Sequence, residues 1–327
     1  MRRIIAVAAV VITAYLPIAG NAVAEQVYPT RTVRFIVPFG AGSATDITAR
    51  LFADRLATRW GKPVIVENRP GADGLVAINA FVGAQDDHTV FFGPAGTFTV
   101  HPYEHERLSY DPQHDLLPIV SISVVVLAIS MPASMNIDTV DQLVALAKAQ
   151  PGKLNAAAAN GISDFLLSGF IKNMGLQIAK VPYRDIMQAP NDLAEDRIQL
   201  LSTSLAVVQP LMQAGRIKVL AVTSRQRAPS APLVPTATEA GYPTLTFESI
   251  GGVFGPRSMP NQLRERIAAD FRAVAADPII AARLADTGQI MSIRGPAEFA
   301  ASVEEQRDKL AAIAKVLGLK AAQPPAQ

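Results

Sequence analysis

Three stretches of the 327-residue chain place chemically capable groups at suggestive spacings. Gly40-Ala41-Gly42-Ser43-Ala44-Thr45 follows an apolar run and opens a helical pattern. It approaches the dinucleotide fingerprint, and Glu67 stands roughly 20 residues on, where an acid would hold a ribose. Thr45, however, replaces the third glycine that close helix–strand packing needs, so dinucleotide binding is rejected. What survives is the physics of the turn: a glycine-rich strand-to-helix connection points free backbone N–H groups at an anion. At Gly42, the missing β-carbon either lets a carboxylate approach the backbone or simply permits a positive φ. Asp46 can cap the helix, order the turn and its waters, or do both.

His101-Pro102-Tyr103-Glu104-His105 is a literal His-x-x-Glu-His string, a pattern found in zinc hydrolases, and His88 and His114 lie in the same region. Pro102 restricts any helix there to its first turn, which favours a surface loop with incidental histidines. Gly161-Ile162-Ser163-Asp164-Phe165 lacks the closing glycine of a nucleophile elbow, and no histidine follows His114. The absence of cysteine excludes disulfides, thiol nucleophiles and thiolate metal sites. No cofactor is expected.

The elements that would position these groups alternate. Arg34 to Phe39 reads as a buried strand, and Thr45 to Trp60 as a helix with Ile47, Leu51, Phe52 and Leu56 inward. Val64 to Glu67, a Pro70-Gly71 turn, a helix at Leu75 to Val82 and a strand at Val90 to Phe92 follow. Val124 to Ser130 reads as one strand. Beyond it come helices at Val140 to Ala149 and Asp164 to Met174, with strands at Leu154 to Ala158, Ala179 to Val181, Ile198 to Leu201 and Val219 to Val222. Ala228 to Pro243 is a proline-rich connection. The remainder reads as mostly helical: Gln262 to Ala275, Ile279 to Thr287 and Pro296 to Leu317, with a frayed tail from Ala321 to Gln327. This order predicts an α/β fold of two lobes around a central ligand cleft. Residues 25–123 and 224–327 form a discontinuous first lobe, and 124–223 the second.

Met1-Arg2-Arg3, the apolar run Ile4 to Leu16 and the small residues Ala22-Val23-Ala24 have the order of a secretory signal peptide over residues 1–24. The apolar run is shorter than the about 20 residues that a bilayer requires. Subtracting Arg2 and Arg3 from the 30 basic residues brings them level with the 28 acidic ones, none of which precedes Glu25. A basic nucleic-acid footprint is therefore unsupported, and no nucleic-acid partner is expected.

Taken in order, several segments resemble the Bug-type periplasmic receptors of tripartite tricarboxylate transporters. They are Tyr28-Pro29, Pro38-Phe39-Gly40-Ala41-Gly42-Ser43-Ala44-Thr45-Asp46, Val66-Glu67-Asn68-Arg69-Pro70-Gly71-Ala72 and Tyr110-Asp111-Pro112. Further on come Pro151-Gly152-Lys153-Leu154-Asn155, Val181-Pro182-Tyr183-Arg184, Ala214-Gly215-Arg216, Leu220 to Ser224, Pro235-Thr236 and Glu239-Ala240-Gly241. The resemblance spans Tyr28 to about Leu319 and rests on order and spacing rather than on any one piece.

The resemblance implies a type II periplasmic-binding-protein fold, a periplasmic monomer without catalysis, and a small organic carboxylate delivered to the transporter's membrane subunits. By position, the ligand loops of the first lobe are Phe39, Gly40, Ala41, Gly42, Ser43, Thr45 and Asp46, with Pro94, Ala95 and Thr97 beside them. Those of the second are Asn160, Gly161, Ile162, Ser163 and Asp164, then Tyr183, Arg184, Thr203 and Ser204. The chain departs from the family at Ala157, Ala159, Ile162, Asp164, Asp185, Ile186, Thr203-Ser204 and Ile250-Gly251, so the anion end is retained and the rest of the ligand's surroundings altered. Asp164 either caps its helix or faces the cleft, where it would repel a second carboxylate. A ligand-loaded partner of a membrane sensor kinase is the alternative function, and a cleft hydrolase using His101 and His105 the remaining one.

Overall fold

The computed structural model describes residues 28–159, 161–183 and 185–322. The leader expected at 1–24, Asn160, Arg184 and the last five tail residues lie outside the described residues.

In chain order the first elements are β1 (Val33–Val37), α1 (Ala44–Trp60), β2 (Val64–Asn68), α2 (Leu75–Ala84), β3 (Thr89–Pro94), α3 (Gly96–Thr99), α4 (His101–Glu104) and β4 (Leu117–Val125). Next come β5 (Leu127–Pro132), α5 (Val140–Ala149), β6 (Leu154–Ala158), α6 (Ile162–Asn173), β7 (Ile178–Lys180), α7 (Ala189–Ala194), β8 (Leu200–Ser204), α8 (Leu205–Gln213) and β9 (Ile217–Val222). The chain closes with β10 (Ser249–Gly255), α9 (Asn261–Ala275), α10 (Pro278–Asp286), β11 (Gln289–Arg294) and α11 (Pro296–Leu317).

The strands make two mixed sheets, one in the order β11-β4-β10-β3-β1-β2 and the other β7-β6-β8-β5-β9. In the first, β1 lies parallel to both β2 and β3, while β10 runs antiparallel between β3 and β4. In the second, β6 is parallel to β7 and β8, and β5 antiparallel to β8 and β9. Parallel strands aligned this way bring the loops after β1, β2 and β3 to one edge, and those after β6, β7 and β8 to one edge of the other sheet.

Each sheet is apolar on both faces because helices cover both. On the first, Phe35 stacks with Phe92 and with Phe271 of α9 beneath α1, while Phe81, Phe91, Phe254 and Phe299 fill the opposite side under α2 and α11. On the second, Ile129, Leu143 and Leu167 pack on one face, and Leu193, Leu201 and Val208 on the other. A further apolar cluster joins the two sheet units: Val100 meets Ile162, Phe165 and Leu166 of α6, with Leu310 and Ala314 of α11. Among the described residues no helix is long and apolar enough to cross a membrane.

Three expectations are corrected. The run Val124 to Ser130 is two strands, β4 and β5, which belong to different sheets and break at the fully buried Val126. The stretch after Pro243 carries the three expected helices, α9, α10 and α11, but it also contains two unpredicted strands, β10 and β11, a central and an edge strand. Ile47 does not face inward; it is 42% exposed, and its place in the core is taken by Thr48, Ala49, Phe52 and Leu56. The helix therefore turns its threonine, rather than its isoleucine, to the protein.

Candidate functional site

The turn after β1 is built around the side chain of Asp46. Ser43 is the N-cap of α1: its hydroxyl oxygen accepts the Asp46 N–H at 3.2 Å. Asp46 is therefore the third residue of the helix, within its first turn, and not its cap. Its carboxylate, 2% exposed, reaches back to accept the Gly42 N–H at 2.8 Å, a reciprocal arrangement like a capping box shifted by one residue. The same carboxylate accepts the Asn68 amide at 2.8 Å and the Arg50 guanidinium at 3.1 Å. Asn68, the last residue of β2, also donates to the Phe39 carbonyl at 2.9 Å and accepts from Arg50 at 2.9 Å. Asp46, Asn68 and Arg50 thus hold both ends of the exposed turn Phe39–Gly42. Burial alone would raise the Asp46 carboxyl, but the bonds from Arg50, Gly42 and Asn68 outweigh it and hold it below the usual carboxylate range.

This geometry decides the role of Gly42. Its φ is +83°, so it supplies the left-handed conformation the turn requires. Its N–H is committed to Asp46, so it does not serve as the expected carboxylate donor. The donors left at the end of α1 are the N–H groups of Ala44 and Thr45, which have no acceptor within the helix. The hydroxyl hydrogen of Ser43 joins them, since that oxygen already accepts.

Next to this turn, β3 ends at Pro94, and the buried Ala95 anchors the following loop by donating its N–H to Ile250 at 2.8 Å. Between the two loops lies a recess of about 10 Å³ lined by Thr45, Thr48, Pro94, Ser123, Gly251 and Gln289, roughly the room of one water molecule. Gln289 organises it: the amide donates to Thr48 at 3.0 Å and Thr287 at 2.8 Å, and accepts the Ser123 hydroxyl at 2.6 Å. Ser123 and Gln289 were not foreseen from sequence, and Gly251 only as part of the Ile250-Gly251 departure. Ser123 lies in β4, one residue before the predicted strand, while β10 and β11, which carry Gly251 and Gln289, were unrecognised; the only signal was the polar Ser-x-Ser and Gly-Gly pattern within apolar runs.

On the second sheet, Gly161 with φ +75° turns the chain into α6, followed by the buried Ile162 and Ser163. Ile162 meets the first-sheet loop directly: a β-carbon on Gly96 would lie 2.6 Å from Ile162 Cγ1. Gly96 adjoins Ala95 and Thr97, so these predicted residues do converge. Thr203, buried, and Ser204, half-buried, end β8 opposite Ala128 and Leu127 of β5. Asp164 is not a cap; it is the third residue of α6, its carboxylate accepts from Lys180 at 2.6 Å, and its N–H goes to Ala159. Tyr183 donates its hydroxyl to Asp192 at 2.7 Å, away from the loops, and burial together with that carboxylate pushes it up to about 12. Asn160 and Arg184 fall outside the described residues.

The histidine string also differs from expectation. His101 is not on a surface loop: it is fully buried in the one-turn helix α4. One ring nitrogen donates to the Asp73 carbonyl at 3.1 Å, which leaves the other to accept from Tyr110 at 2.7 Å. Burial lowers it to about 4, so the ring is neutral and both nitrogens are engaged.

The sequence pattern of the tripartite tricarboxylate transporter family receptor matches residues 48–319. The chain belongs to that family. It is 30% identical to the protein BugT of Bordetella pertussis over 264 residues, 79% of each chain. An R. palustris protein solved with adipate aligns at a TM-score of 0.77 and 28% identity, over 91% of this chain and 100% of that one. MatC from Rhodopseudomonas palustris, solved with bound malate, aligns at 0.74 and 25% identity, over 88% and 99%. The fold is therefore that of the periplasmic binding proteins, two α/β units of the type II kind, and the family is one of receptors rather than enzymes.

Proposed function

We propose that this protein is a periplasmic solute receptor that binds one small organic carboxylate and hands it to the membrane subunits of a tripartite tricarboxylate transporter. The leader at 1–24 is cleaved on export, and the receptor acts as a monomer. Residues 25–123 with 224–327 form one lobe and 124–223 the other, with the ligand between the loops that follow β1 and β3 and those that follow β6 and β8.

The observation that carries this reading is the brace on the first loop. A buried carboxylate fixes a glycine turn at the start of a 17-residue helix, while Arg50 balances its charge. Ala44 and Thr45 then present N–H groups to an anion with no cation in Phe39 to Asp46 to bind it instead. Ser43, Thr45 and Thr97 supply hydroxyls, and the recess behind them accommodates a bridging water. Across the cleft, Gly161, Ile162, Ser163, Thr203 and Ser204, with Asn160 and Arg184, contact the remainder of the ligand. Asp164 acts there only through its Lys180 pair. Relatives solved with adipate and with malate support a carboxylate as the ligand class.

Thermal unfolding against a panel of mono- and dicarboxylates tests the proposal. A ligand at a hundredfold excess over Kd adds about 2.7 kcal/mol to the folded state, a rise of several degrees for a chain of this size. A panel without effect, beside a neutral sugar that stabilises, would reject the carboxylate assignment.

A further inference from the structure

A second concave surface among the described residues lies away from the loops above. It is a cavity of about 250 Å³ between α6, α11 and the segment Pro243–Phe247 that leads back to the first sheet. Its walls are two helical stripes. On α6 they are Leu166, Gly169, Phe170 and Asn173, and on α11 Lys309, Ala312, Ile313 and Val316. Each set has the i, i+3, i+4, i+7 spacing of a single helix face.

Two small residues account for the hollow. Gly169 lets the helices touch, since a β-carbon there would lie 2.6 Å from Ile313 Cγ2. One residue before Ile313 the wall carries only the methyl group of Ala312. Apolar side chains line most of the cavity, and the polar residues among its walls are Asn173, Thr244, Thr246 and one cation, Lys309. Lys309 pairs with Glu305 at 3.2 Å, but Glu305 is also held by Arg225. Lys309 can therefore turn to another anion without stranding a carboxylate. From Lys309 to Val316 the stripe runs about 10 Å along the helix axis.

We propose that this groove is a second ligand site, taking an amphipathic monoanion whose apolar body lies along Ala312, Ile313 and Val316 and whose carboxylate meets Lys309. The site does not depend on the cleft assignment, because none of its lining residues belongs to the loops that follow β1, β3, β6 or β8. Its walls come from both sheet units, so an occupant joins α6 to α11 directly.

Octanoate is the probe. In methyl-labelled protein, titration should give saturable shifts at Leu166, Ile313 and Val316. Ala312→Phe fills the groove from an exposed position and should weaken binding by about tenfold or more while melting stays unchanged. Lys309→Gln should weaken it about three- to fivefold, as expected for one half-exposed ion pair. Octylamine, with the same body and opposite charge, should bind more weakly than octanoate. Shifts confined to Ile47 and Ile162 would place octanoate in the cleft, and would overturn the second site while leaving the receptor reading intact. Shifts at Ile313 that survive Ala312→Phe unchanged, or octylamine binding as well as octanoate, would overturn it equally.

Discussion

Replacing Asp46 with alanine removes the carboxylate on which the brace of the Phe39–Gly42 turn converges, and the structure sets the size of the loss. The Arg50 side chain is half exposed, so its pair with Asp46 contributes no more than about 1 kcal/mol. Hydrogen bonds from the Gly42 N–H and the Asn68 amide to a carboxylate that is 2% exposed are each worth about 1.5–3 kcal/mol. The loop is exposed, so the released donors find water and the full sum is not lost. We expect about 3 kcal/mol of destabilisation, a fall in Tm on the order of 6–12 °C, and at least about tenfold weaker binding of the cognate carboxylate as the loop must be ordered on association. Asn68→Ala should lose part of the same energy. A double-mutant cycle by thermal unfolding and calorimetry should then show coupling of about 1–3 kcal/mol. The pH dependence has a definite sign: the folded carboxyl is depressed, so its contribution is present at neutral pH and disappears as pH falls below about 4. The gap between wild type and Asp46→Asn should close over that interval. An Asp46→Ala protein that melts within about 1 °C of wild type and binds as well would refute the brace.

Other expectations follow from single distances and angles. Gly42→Ala places a β-carbon in open space but at φ +83°, so it should cost about 1–2 kcal/mol in thermal unfolding, whereas Gly40→Ala should be nearly neutral. Gly96→Ala drives a methyl group into Ile162 and should cost about 1–3 kcal/mol; combined with Ile162→Ala, the pair should be more stable than the sum of the single changes by about 1 kcal/mol. Burial lowers His101 to about 4, so the unfolded chain takes up a proton first as pH falls from about 6.5, and stability should drop by roughly 2 kcal/mol by pH 5. Denaturant titrations measure that slope, and a ring resonance of His101 titrating near pH 6.5 would contradict it.

Periodicity made α1, α5, β6 and α11 legible, because each carries an uninterrupted pattern between clear caps and breakers. The switch between sheets at Val126 was not, since β4 and β5 are both buried and nothing in an apolar run distinguishes two strands from one. β10 holds two adjacent glycines, and β11 is a polar edge strand between helices, so neither has a strand's alternation. Within the site, the glycine turn and Asp46 were recognisable by type and spacing. Which atom meets which was not: Gly42 N–H to Asp46, Asp164 to Lys180 and Tyr183 to Asp192 are tertiary outcomes. Ile47 misled for a related reason, as hydrophobicity at one position cannot fix the rotation of a helix whose Thr48 has a buried partner in Gln289.

The way the chain enters and leaves the second sheet has a practical consequence. Its first and last strands, β5 and β9, are neighbours, and the Thr223 N–H donates to the Leu127 carbonyl at 2.9 Å. The 97 residues from Leu127 to Thr223 therefore begin and end one hydrogen bond apart, the arrangement that tolerates domain insertion. That span could be exchanged between relatives as a cassette, provided its contacts with α11, Gly96, Gly288 and the segment from Ala228 to Phe247 are matched, so that the half of the receptor bearing Ile162 and Thr203 is replaced while the half bearing the Asp46 turn is kept.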